Sequence, residues 1–405
     1  PENSIVVMMN IQCPAPPYNE PPQSLPGRVI TNTPQSCSPG NLGESLLLRI
    51  NTFARHFVLP QFLYSGRSKT WSQLFCLLLV TLIFTFWLPH TSESASTSIL
   101  EGEQTVIDQA GRRVPAKTPF TRIISLYGAH TENLYALGCA AHLVGVSRHE
   151  TFPPQAQDKP SLSAHQDLER FLSLRPDCVL LRPMLDRGYP QLVQGLTRLG
   201  VQVVSLQPNT VQEMHTYWQA LGRLTGSVDQ AREMVQTFQQ TVDWFQRLNT
   251  HITTRKQVYF EAIHEHMKTF APKAMPIFAL ETAGGINVAT DAQSVRGTNI
   301  AAYGKEKILS HAREIDVFLA QKGPMNHPTR KMIREEPGFQ AISAVRTDQI
   351  VLIQEDIVSR PTLRLLLGIA TIGQALYPRV YTDQVLNKVR HIITNDSPSF
   401  PQEAP

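Results

Sequence analysis

The sequence is short of several features that would assign a function directly. Charged residues make up only 17% of its 405 residues, and Lys plus Arg exceeds Asp plus Glu by 37 − 33 = +4. Because no dense block of Lys and Arg occurs, nucleic acid is not an expected partner. The five cysteines contain no CxxC pair, so neither a zinc ribbon nor a disulfide framework is indicated. The GxSxG, HExxH, P-loop and GxGxxG motifs are also absent, which removes the commonest enzyme classes and leaves no predicted catalytic residue.

Proline is abundant by contrast, and much of it lies in an N-terminal leader. Residues 1–66 contain Pro14-Ala15-Pro16-Pro17 and Pro21-Pro22, with no hydrophobic periodicity between these breakers. A segment of this composition does not provide the apolar surface needed for a core. The sequence therefore predicts that residues 1–66 are a disordered or over-extended leader outside the folded domains.

A long apolar run follows the leader. Residues 71–88 are almost entirely apolar, Arg67 and Lys69 precede them, and the small residues at 92–98 follow. A positive flank, an apolar centre and a small-residue exit are typical of a secretory signal, and the run is also long enough to span a bilayer. Residues 67–95 are therefore interpreted as a signal peptide or an N-terminal membrane anchor. The chain beyond them is predicted to be periplasmic or extracytoplasmic.

The remaining chain alternates between strand and helix patterns. Buried-strand runs at 122–126, 142–147, 178–181 and 201–206 are separated by helical patterns, and a second series begins at 257. This alternation predicts an α/β fold of two Rossmann-like lobes with central parallel sheets. Hydrophobic residues at helical spacing over 229–249 predict a single long helix that joins the lobes. The expected boundaries are 103–227 for the N-terminal lobe, 228–251 for the connecting helix, 256–381 for the C-terminal lobe and 382–405 for a frayed tail.

An ordered set of short motifs in these lobes resembles one known family. The set comprises TVIDQAGRRV at 105–114, RIISL at 122–126, TENLYALG at 131–138, LVGV at 143–146, FPPQA at 152–156, LERFLSLRPD at 168–177, AGGINV at 283–288 and Arg360-Pro361. Together they resemble the substrate-binding proteins of ABC importers for iron-siderophores, haem and cobalamin. The resemblance implies a non-enzymatic, monomeric protein with a rigid helix between its lobes and no intrinsic cofactor. It also implies that an iron chelate, haem or cobalamin-type ligand is captured between the lobes and delivered to an ABC permease and its ATPase.

The same resemblance implies a docking role for one glutamate on each lobe. Glu169, inside Leu168-Glu169-Arg170, and Glu306, inside residues 303–309, occupy the positions at which the family docks to arginines of the permease. Exposed charge pairs set orientation and association rate more than affinity. The alternative is that both glutamates are ordinary solvated surface residues.

Residues that follow predicted strands are candidates for the cleft, because ligands of open α/β sheets bind at the carboxyl ends of strands. Tyr127 and His130 follow the first strand, and phenolate and imidazole are both iron ligands; alternatively, His130 caps the next helix. His264 and His266 follow the first strand of the second lobe. On an extended segment both imidazoles would lie on one side and could bind a metal. The alternative is a polar loop that hydrogen-bonds an organic ligand without touching metal.

Arginine, histidine and methionine side chains are further candidates for the predicted cleft. Guanidinium groups pair with carboxylates such as those of anionic chelates and haem propionates, although each arginine could equally be a surface charge. Arg148, Arg182 and Met184 follow predicted strands, whereas Arg296 and Arg360 lie in loops of the C-terminal lobe. The resemblance adds His165, which lies just before Glu169 in a loop that lines the cleft of the family.

Two other classes of protein remain open at this point. A periplasmic tetrapyrrole metal chelatase also has two α/β lobes with His and Glu in the cleft, and His130, His264 and His266 would serve it. A protein that binds a bare transition-metal ion needs three or four ligands spread over both lobes. The spacing of the histidines does not define such a set.

Overall fold

Both predicted lobes lie in the part of the chain that a computed structural model describes, namely residues 100–101, 105–148, 150–295 and 297–394. The described residues belong to one compact unit. The predicted leader, the apolar segment at 67–95 and the ligand candidate Arg296 lie outside the described residues. Within the described ranges, no helix is both long and apolar enough to cross a bilayer.

A small antiparallel sheet precedes the first lobe and contains the hairpin expected around 108–111. Asp108 shapes the hairpin turn, since its Oδ1 accepts backbone N–H bonds from Ala110 at 2.9 Å and Arg112 at 2.8 Å. Its Oδ2 accepts the backbone N–H of Ser205 at 2.9 Å, which attaches the turn to the main sheet of the lobe. The strands are β1 (Leu100–Glu101), β2 (Thr105–Ile107) and β3 (Arg113–Pro115).

The N-terminal lobe is built on a five-stranded parallel sheet, as predicted. Its strands are β4 (Ile123–Ser125), β5 (Leu143–Ser147), β6 (Ser161–Leu162), β7 (Cys178–Leu181) and β8 (Gln202–Ser205). They lie in the order β6-β5-β4-β7-β8. The chain therefore winds to one side from β4 to β6 and to the other side from β7 onwards. The carboxyl ends of the paired strands β4 and β7 are therefore the switch point, outside which such sheets bind ligands.

Short helices alternate with these strands. The first begins shortly after β4. Two of the other three begin with a proline, and the third has a glutamate in its first turn. Both features favour a helix N-terminus. The helices are α1 (Gly128–Ala136), α2 (Leu168–Leu172), α3 (Pro183–Gly188) and α4 (Pro190–Arg198), with 3₁₀ turns at Ala140–His142 and Pro154–Asp158.

Two long helices follow β8, and the second of them joins the lobes. Helix α5 (Val211–Thr225) is capped by Thr210, whose side chain accepts the backbone N–H of Glu213, and it ends at Gly226, which has the left-handed φ of 75°. Helix α6 (Val228–Asn249) follows immediately and matches the predicted connecting helix. Its buried residues recur at helical spacing and include Ala231, Met234, Val235, Phe238, Thr241, Trp244 and Phe245.

The C-terminal lobe has a seven-stranded sheet that is only partly parallel. Its centre, β9-β14-β15, is parallel as predicted, whereas β10, β12 and β13 extend one edge in antiparallel fashion. The bounds are β9 (Gln257–Ile263), β10 (Lys268–Phe270), β11 (Ile286–Asn287), β12 (Gln293–Ser294), β13 (Ile300–Ala302), β14 (Val317–Lys322) and β15 (Ile350–Gln354).

Helices of the C-terminal lobe continue beyond the predicted end of the fold. The expectation of a frayed tail after Tyr381 is wrong for residues 383–394, which form a helix whose buried Val385, Leu386 and Val389 join the main core. The helices are α7 (Met275–Thr282), α8 (Lys305–Ser310), α9 (Arg330–Glu335), α10 (Ser343–Arg346), α11 (Glu355–Val358), α12 (Leu365–Leu376) and α13 (Asp383–Thr394), with 3₁₀ turns at His264–His266 and Phe339–Ala341.

One hydrophobic core runs through both lobes. It joins Ile123 of β4 and Val258 of β9 through Trp218 on α5 and Phe238 and Phe245 on α6. Smaller cores lie on the outer face of each sheet. The lobes are therefore held by packed helices that belong to the core of both, not by a bare linker.

Candidate functional site

The carboxyl ends of β4 and β7 bring two of the predicted cleft residues together. Tyr127 follows β4 and Arg182 follows β7, so they lie side by side at the switch point of the sheet. The guanidinium carbon of Arg182 lies 4.6 Å from the centre of the Tyr127 ring, which is a cation–π geometry. Arg182 Nε is buried and has no hydrogen-bond partner among the described residues. This nitrogen is a donor that a ligand acceptor could use.

The C-terminal lobe contributes Arg360 to the same region. Its Nη1 donates to Glu132 Oε1 across the lobe junction at 2.9 Å. A Cβ atom at Gly128 would lie 2.8 Å from Arg360 Nη1 and 3.1 Å from Glu150 Oε2. Glycine at the start of α1 therefore leaves room for the guanidinium to approach the first lobe.

Glu132 is the centre of a buried ion-pair cluster that joins the lobes. Arg364 donates to Glu132 Oε2 through Nε at 3.0 Å and to Oε1 through Nη2 at 2.8 Å. Arg364 Nη1 also donates to Asp356 Oδ2 at 2.9 Å. The Glu132 side chain is only 3% exposed. Because each charge has a partner at hydrogen-bond distance, the cluster can be buried without an unpaired ion.

The backbone carbonyl of Pro361 forms a second link across the junction. It accepts hydrogen bonds from Asn133 Nδ2 at 2.9 Å and from the indole Nε1 of Trp218 at 3.1 Å. Asn133 lies on α1, directly after Glu132, and Trp218 lies on α5. The segment 360–364 is therefore fixed to the first lobe by both its side chains and its backbone.

Burial sets the protonation of Tyr127. Desolvation raises the pKa of its phenol to about 12, although the positive charges of Arg182 and Arg360 oppose this shift. Tyr127 is consequently a neutral phenol at neutral pH, able to donate a hydrogen bond, and not a preformed phenolate for iron. Glu355, at the start of α11, also has a raised pKa because of burial, again opposed by Arg360 and Arg182. The two arginines thus act on groups of both lobes.

A second carboxyl that sequence reasoning missed lies next to this group. Glu150 is buried, and its Oε1 accepts hydrogen bonds from the hydroxyls of Ser147 and of Thr131, the latter at 3.2 Å. Its Oε2 has no partner within the described part of the chain. Desolvation raises its pKa, and the charge of Arg360 opposes the rise. The sequence signal for Glu150 as a cleft residue was its position three residues after the carboxyl end of β5.

His130 does not lie at the cleft surface. It is fully buried in α1, where its Nδ1 lies 2.6 Å from the Tyr217 hydroxyl and its Nε2 lies 3.2 Å from the carbonyl oxygen of Leu181. Because a carbonyl only accepts, Nε2 carries the proton and Nδ1 accepts from Tyr217. Burial lowers the pKa of His130 to about 3. In this conformation His130 is therefore a neutral core residue, neither a helix cap nor an accessible ligand.

The expectation that His264 and His266 share one side of an extended segment is wrong. Residues His264–His266 form a 3₁₀ turn, which leaves His264 buried and His266 exposed. His264 Nδ1 lies 3.0 Å from Glu261 Oε2, and this hydrogen bond raises the pKa of His264. Within the described ranges, no group of three or more His, Cys, Asp or Glu side chains is arranged to hold a metal ion. The structure thus does not bring this pair together as a metal site.

The remaining candidates lie on the surface. Arg148 and Met184 are exposed after β5 and β7, and the exposed His165 accepts or donates a hydrogen bond with the Tyr189 hydroxyl at 2.7 Å from Nε2. Glu169 on α2 and Glu306 on α8 are both exposed, one on each lobe. Their accessibility is a requirement for docking, and their role stays a prediction.

Comparison with known proteins places the chain in a family. A family model described as periplasmic binding protein matches residues 123–357, more than half of the chain. The chain belongs to the periplasmic binding protein family. The sequence is 27% identical over 252 residues to a vitamin B12-binding protein of Vibrio cholerae, which covers 61% of this chain and 86% of the relative. It is 22% identical over 284 residues to an ABC transporter substrate-binding lipoprotein of Bacillus subtilis, which covers 69% of this chain and 87% of that relative.

Solved structures agree with the two-lobe fold. A possible iron-binding (periplasmic solute-binding) protein of Staphylococcus epidermidis superimposes with a TM-score of 0.56 at 25% identity, over 64% of this chain and all of the other. A periplasmic haem-binding protein of Vibrio cholerae superimposes with a TM-score of 0.54 at 22% identity, over 64% of this chain and 99% of the other. The predicted family and the predicted fold class, two lobes joined by a helix, are therefore confirmed.

The burial of neutral His130 predicts a specific dependence of stability on pH. Unfolded histidine has a pKa near 6.5, whereas the folded value is about 3. Between these values the unfolded chain binds a proton that the folded chain does not. This residue alone therefore lowers the free energy of unfolding by about 1.4 kcal/mol for each unit by which the pH decreases. His130→Gln should therefore show a shallower loss of stability between pH 6.5 and 4.5 in urea denaturation. The exposed His251→Gln is the control, and parallel curves for His130→Gln and the wild type would contradict the assignment.

The Glu132 cluster predicts a large effect of removing one charge. Glu132→Gln leaves Arg360 and Arg364 with a weaker acceptor in a buried position, so we expect the free energy of unfolding to fall by about 3 kcal/mol. Chemical denaturation measures this change. Asp243→Asn, an exposed carboxylate on α6, is the control and should change stability by less than about 0.5 kcal/mol. Equal stability of the two variants would contradict a structural role for the cluster.

Proposed function

We propose that this protein is the extracytoplasmic solute-binding component of an ABC importer and captures a metal chelate or tetrapyrrole between its lobes. Membership of the periplasmic binding protein family supports solute capture. Relatives named for vitamin B12 and haem, and one named as an ABC transporter substrate-binding lipoprotein, support this class of ligand and an ABC permease with its ATPase as partners. Iron chelate, haem and cobalamin-type ligands all remain within the proposal.

The observation that carries the proposal is the convergence of Tyr127, Arg182 and Arg360. The first two belong to one lobe and the third to the other, and the charges of both arginines act on the Tyr127 phenol. A ligand with carboxylate or amide oxygens could accept hydrogen bonds from the phenol and from the buried Nε of Arg182. The apolar ring of Tyr127 offers a surface for a flat ligand.

The chelatase and bare-metal alternatives have no comparable observation in their favour. A chelatase was expected to use His130, His264 and His266 together. In the structure His130 bonds to Tyr217 and Leu181, His264 bonds to Glu261, and His266 is exposed. A bare ion needs three or four converging ligands, and the described residues contain no such group.

The proposal is tested by identifying what the purified full chain binds. We expect a small molecule to co-purify, or to bind when haem, cobalamin and ferric siderophores are offered. Absorbance would show a Soret band or a corrinoid spectrum, and mass spectrometry would show a siderophore. Failure to retain any ligand of these three classes would contradict the proposal.

Arg182→Ala tests the cleft itself. Because the guanidinium is half-buried against Tyr127, its loss should weaken binding of the identified ligand by at least about thirtyfold, measured by titration calorimetry. Arg187→Ala is the matched control, since Arg187 lies five residues further on and is exposed. Equal affinities of the two variants would place the ligand elsewhere.

The double variant Glu169→Ala, Glu306→Ala tests docking to the permease. We expect uptake by cells to fall to background while ligand affinity of the purified protein stays unchanged, because both carboxylates are exposed and one lies on each lobe. The control replaces two other exposed acidic residues, Asp243→Ala and Glu335→Ala. Unimpaired uptake by the Glu169 and Glu306 variant would end the docking hypothesis.

A further inference from the structure

A pocket of about 480 Å³ lies beside the lobe junction. None of Tyr127, Arg182, Glu355 or Arg360 lines it, so it is distinct from the proposed cleft. Its volume is within the range of small-molecule sites. Its walls come from both lobes and from the connecting helix. We call it the lateral pocket and define it by Asn133, Phe152, Glu233, Met234, Thr362 and Arg364.

Two residues that line the lateral pocket each have a buried side-chain oxygen for which the described residues provide no hydrogen-bond partner. Asn133 Oδ1 and Thr362 Oγ1 have none within the described part of the chain, although Asn133 is only 1% exposed and Thr362 only 2%. The orientation of the Asn133 amide is defined, because its nitrogen donates to the Pro361 carbonyl and to the Tyr217 hydroxyl. Asn133 Oδ1 can only accept a hydrogen bond, and the Thr362 hydroxyl can accept as well as donate, so a donor is the group that can satisfy both.

The charge of the wall favours a cation over an anion. Arg364 is the positively charged residue of the wall, and its guanidinium is already bonded to Glu132 and Asp356 and lies 4.3 Å from the centre of the Phe152 ring. The Glu132 carboxylate is likewise bonded to Arg360 and Arg364. Glu233, by contrast, is exposed on α6 at this pocket. The remaining charge is therefore negative.

We propose that the lateral pocket binds a small organic cation in which an ammonium group is carried on an apolar body. The three N–H donors of the ammonium group match Asn133 Oδ1, Thr362 Oγ1 and the carboxylate of Glu233. The apolar body packs against Met234 and Leu363.

Binding at this place has a consequence for the lobes. The occupant contacts α1 of the first lobe, residues 362–364 of the second lobe and the connecting helix α6. It therefore favours the lobe arrangement that forms the pocket, and by linkage it changes the affinity of the cleft for its own ligand. The lateral pocket is thus an effector site rather than part of the cleft.

The test titrates the purified full chain with benzylammonium and with two probes of the same shape, neutral benzyl alcohol and anionic benzoate. We expect benzylammonium to bind at least about tenfold more tightly than either, because only it supplies donors together with positive charge. No binding of benzylammonium, or equal affinity for the three probes, would overturn the proposal. The experiment needs neither the permease nor the cleft ligand, so its outcome is independent of the proposed function.

Variants locate the binding. Glu233→Gln removes the charge from an exposed residue and should weaken benzylammonium binding by about threefold or more, and Thr362→Val should weaken it by about fivefold. Asp243→Asn, on the same helix but outside the lateral pocket, is the matched control and should leave the affinity unchanged. If Glu233→Gln binds benzylammonium as the wild type does, or if Asp243→Asn weakens binding as much, the proposal fails. Because Glu233 is exposed, its variant is expected to fold and keeps the test decisive even where Thr362→Val does not.

Discussion

The buried bonds of Glu132 to Arg360 and Arg364 are the constraint on which the arrangement of the two lobes depends. Glu132 lies on the first helix of one lobe, and the arginines follow the last strand of the other. A buried ion pair is a weak source of net stability, because desolvation offsets its attraction. Its geometry is nevertheless demanding, since a shift of the lobes that broke it would leave charges buried without partners.

The hydrogen bonds from Asn133 and Trp218 to the Pro361 carbonyl add a second requirement at the same junction. Arg360 therefore belongs both to this junction and to the proposed cleft.

Much of the architecture could be predicted from the sequence because it depends on local patterns. The alternation of buried strands and helices indicated the two lobes, and the hydrophobic spacing over 229–249 indicated a connecting helix that the structure places at Val228–Asn249. The rule that ligands lie at the carboxyl ends of parallel strands selected Tyr127 and Arg182, which do lie together. The helical spacing of Val385, Leu386 and Val389 also indicates the helix Asp383–Thr394, but the prolines that follow it suggest a frayed end.

The side-chain positions that the sequence does not predict are set by contacts between residues distant in the sequence, or by local turns. His130 follows a strand as Tyr127 does, yet its ring points into the core, where it meets Tyr217, 87 residues away. The pairing of Glu132 with Arg364 spans 232 residues, and nothing in either local sequence indicates it. For His264 and His266 the error was one of backbone geometry, because a 3₁₀ turn replaced the expected extended segment and separated the two rings. Side-chain direction at the end of a strand is thus harder to predict than the position of that end.

We propose that one rigid junction presents Tyr127, Arg182 and Arg360 to a ligand held between the lobes. A crystal structure of the full chain with the ligand that it retains tests this most directly. We expect the ligand to contact all three side chains and Glu132 to remain bonded to Arg360 and Arg364. A ligand bound outside this cleft, or a complex in which the Glu132 bonds are broken and the lobes have rotated apart, would contradict it.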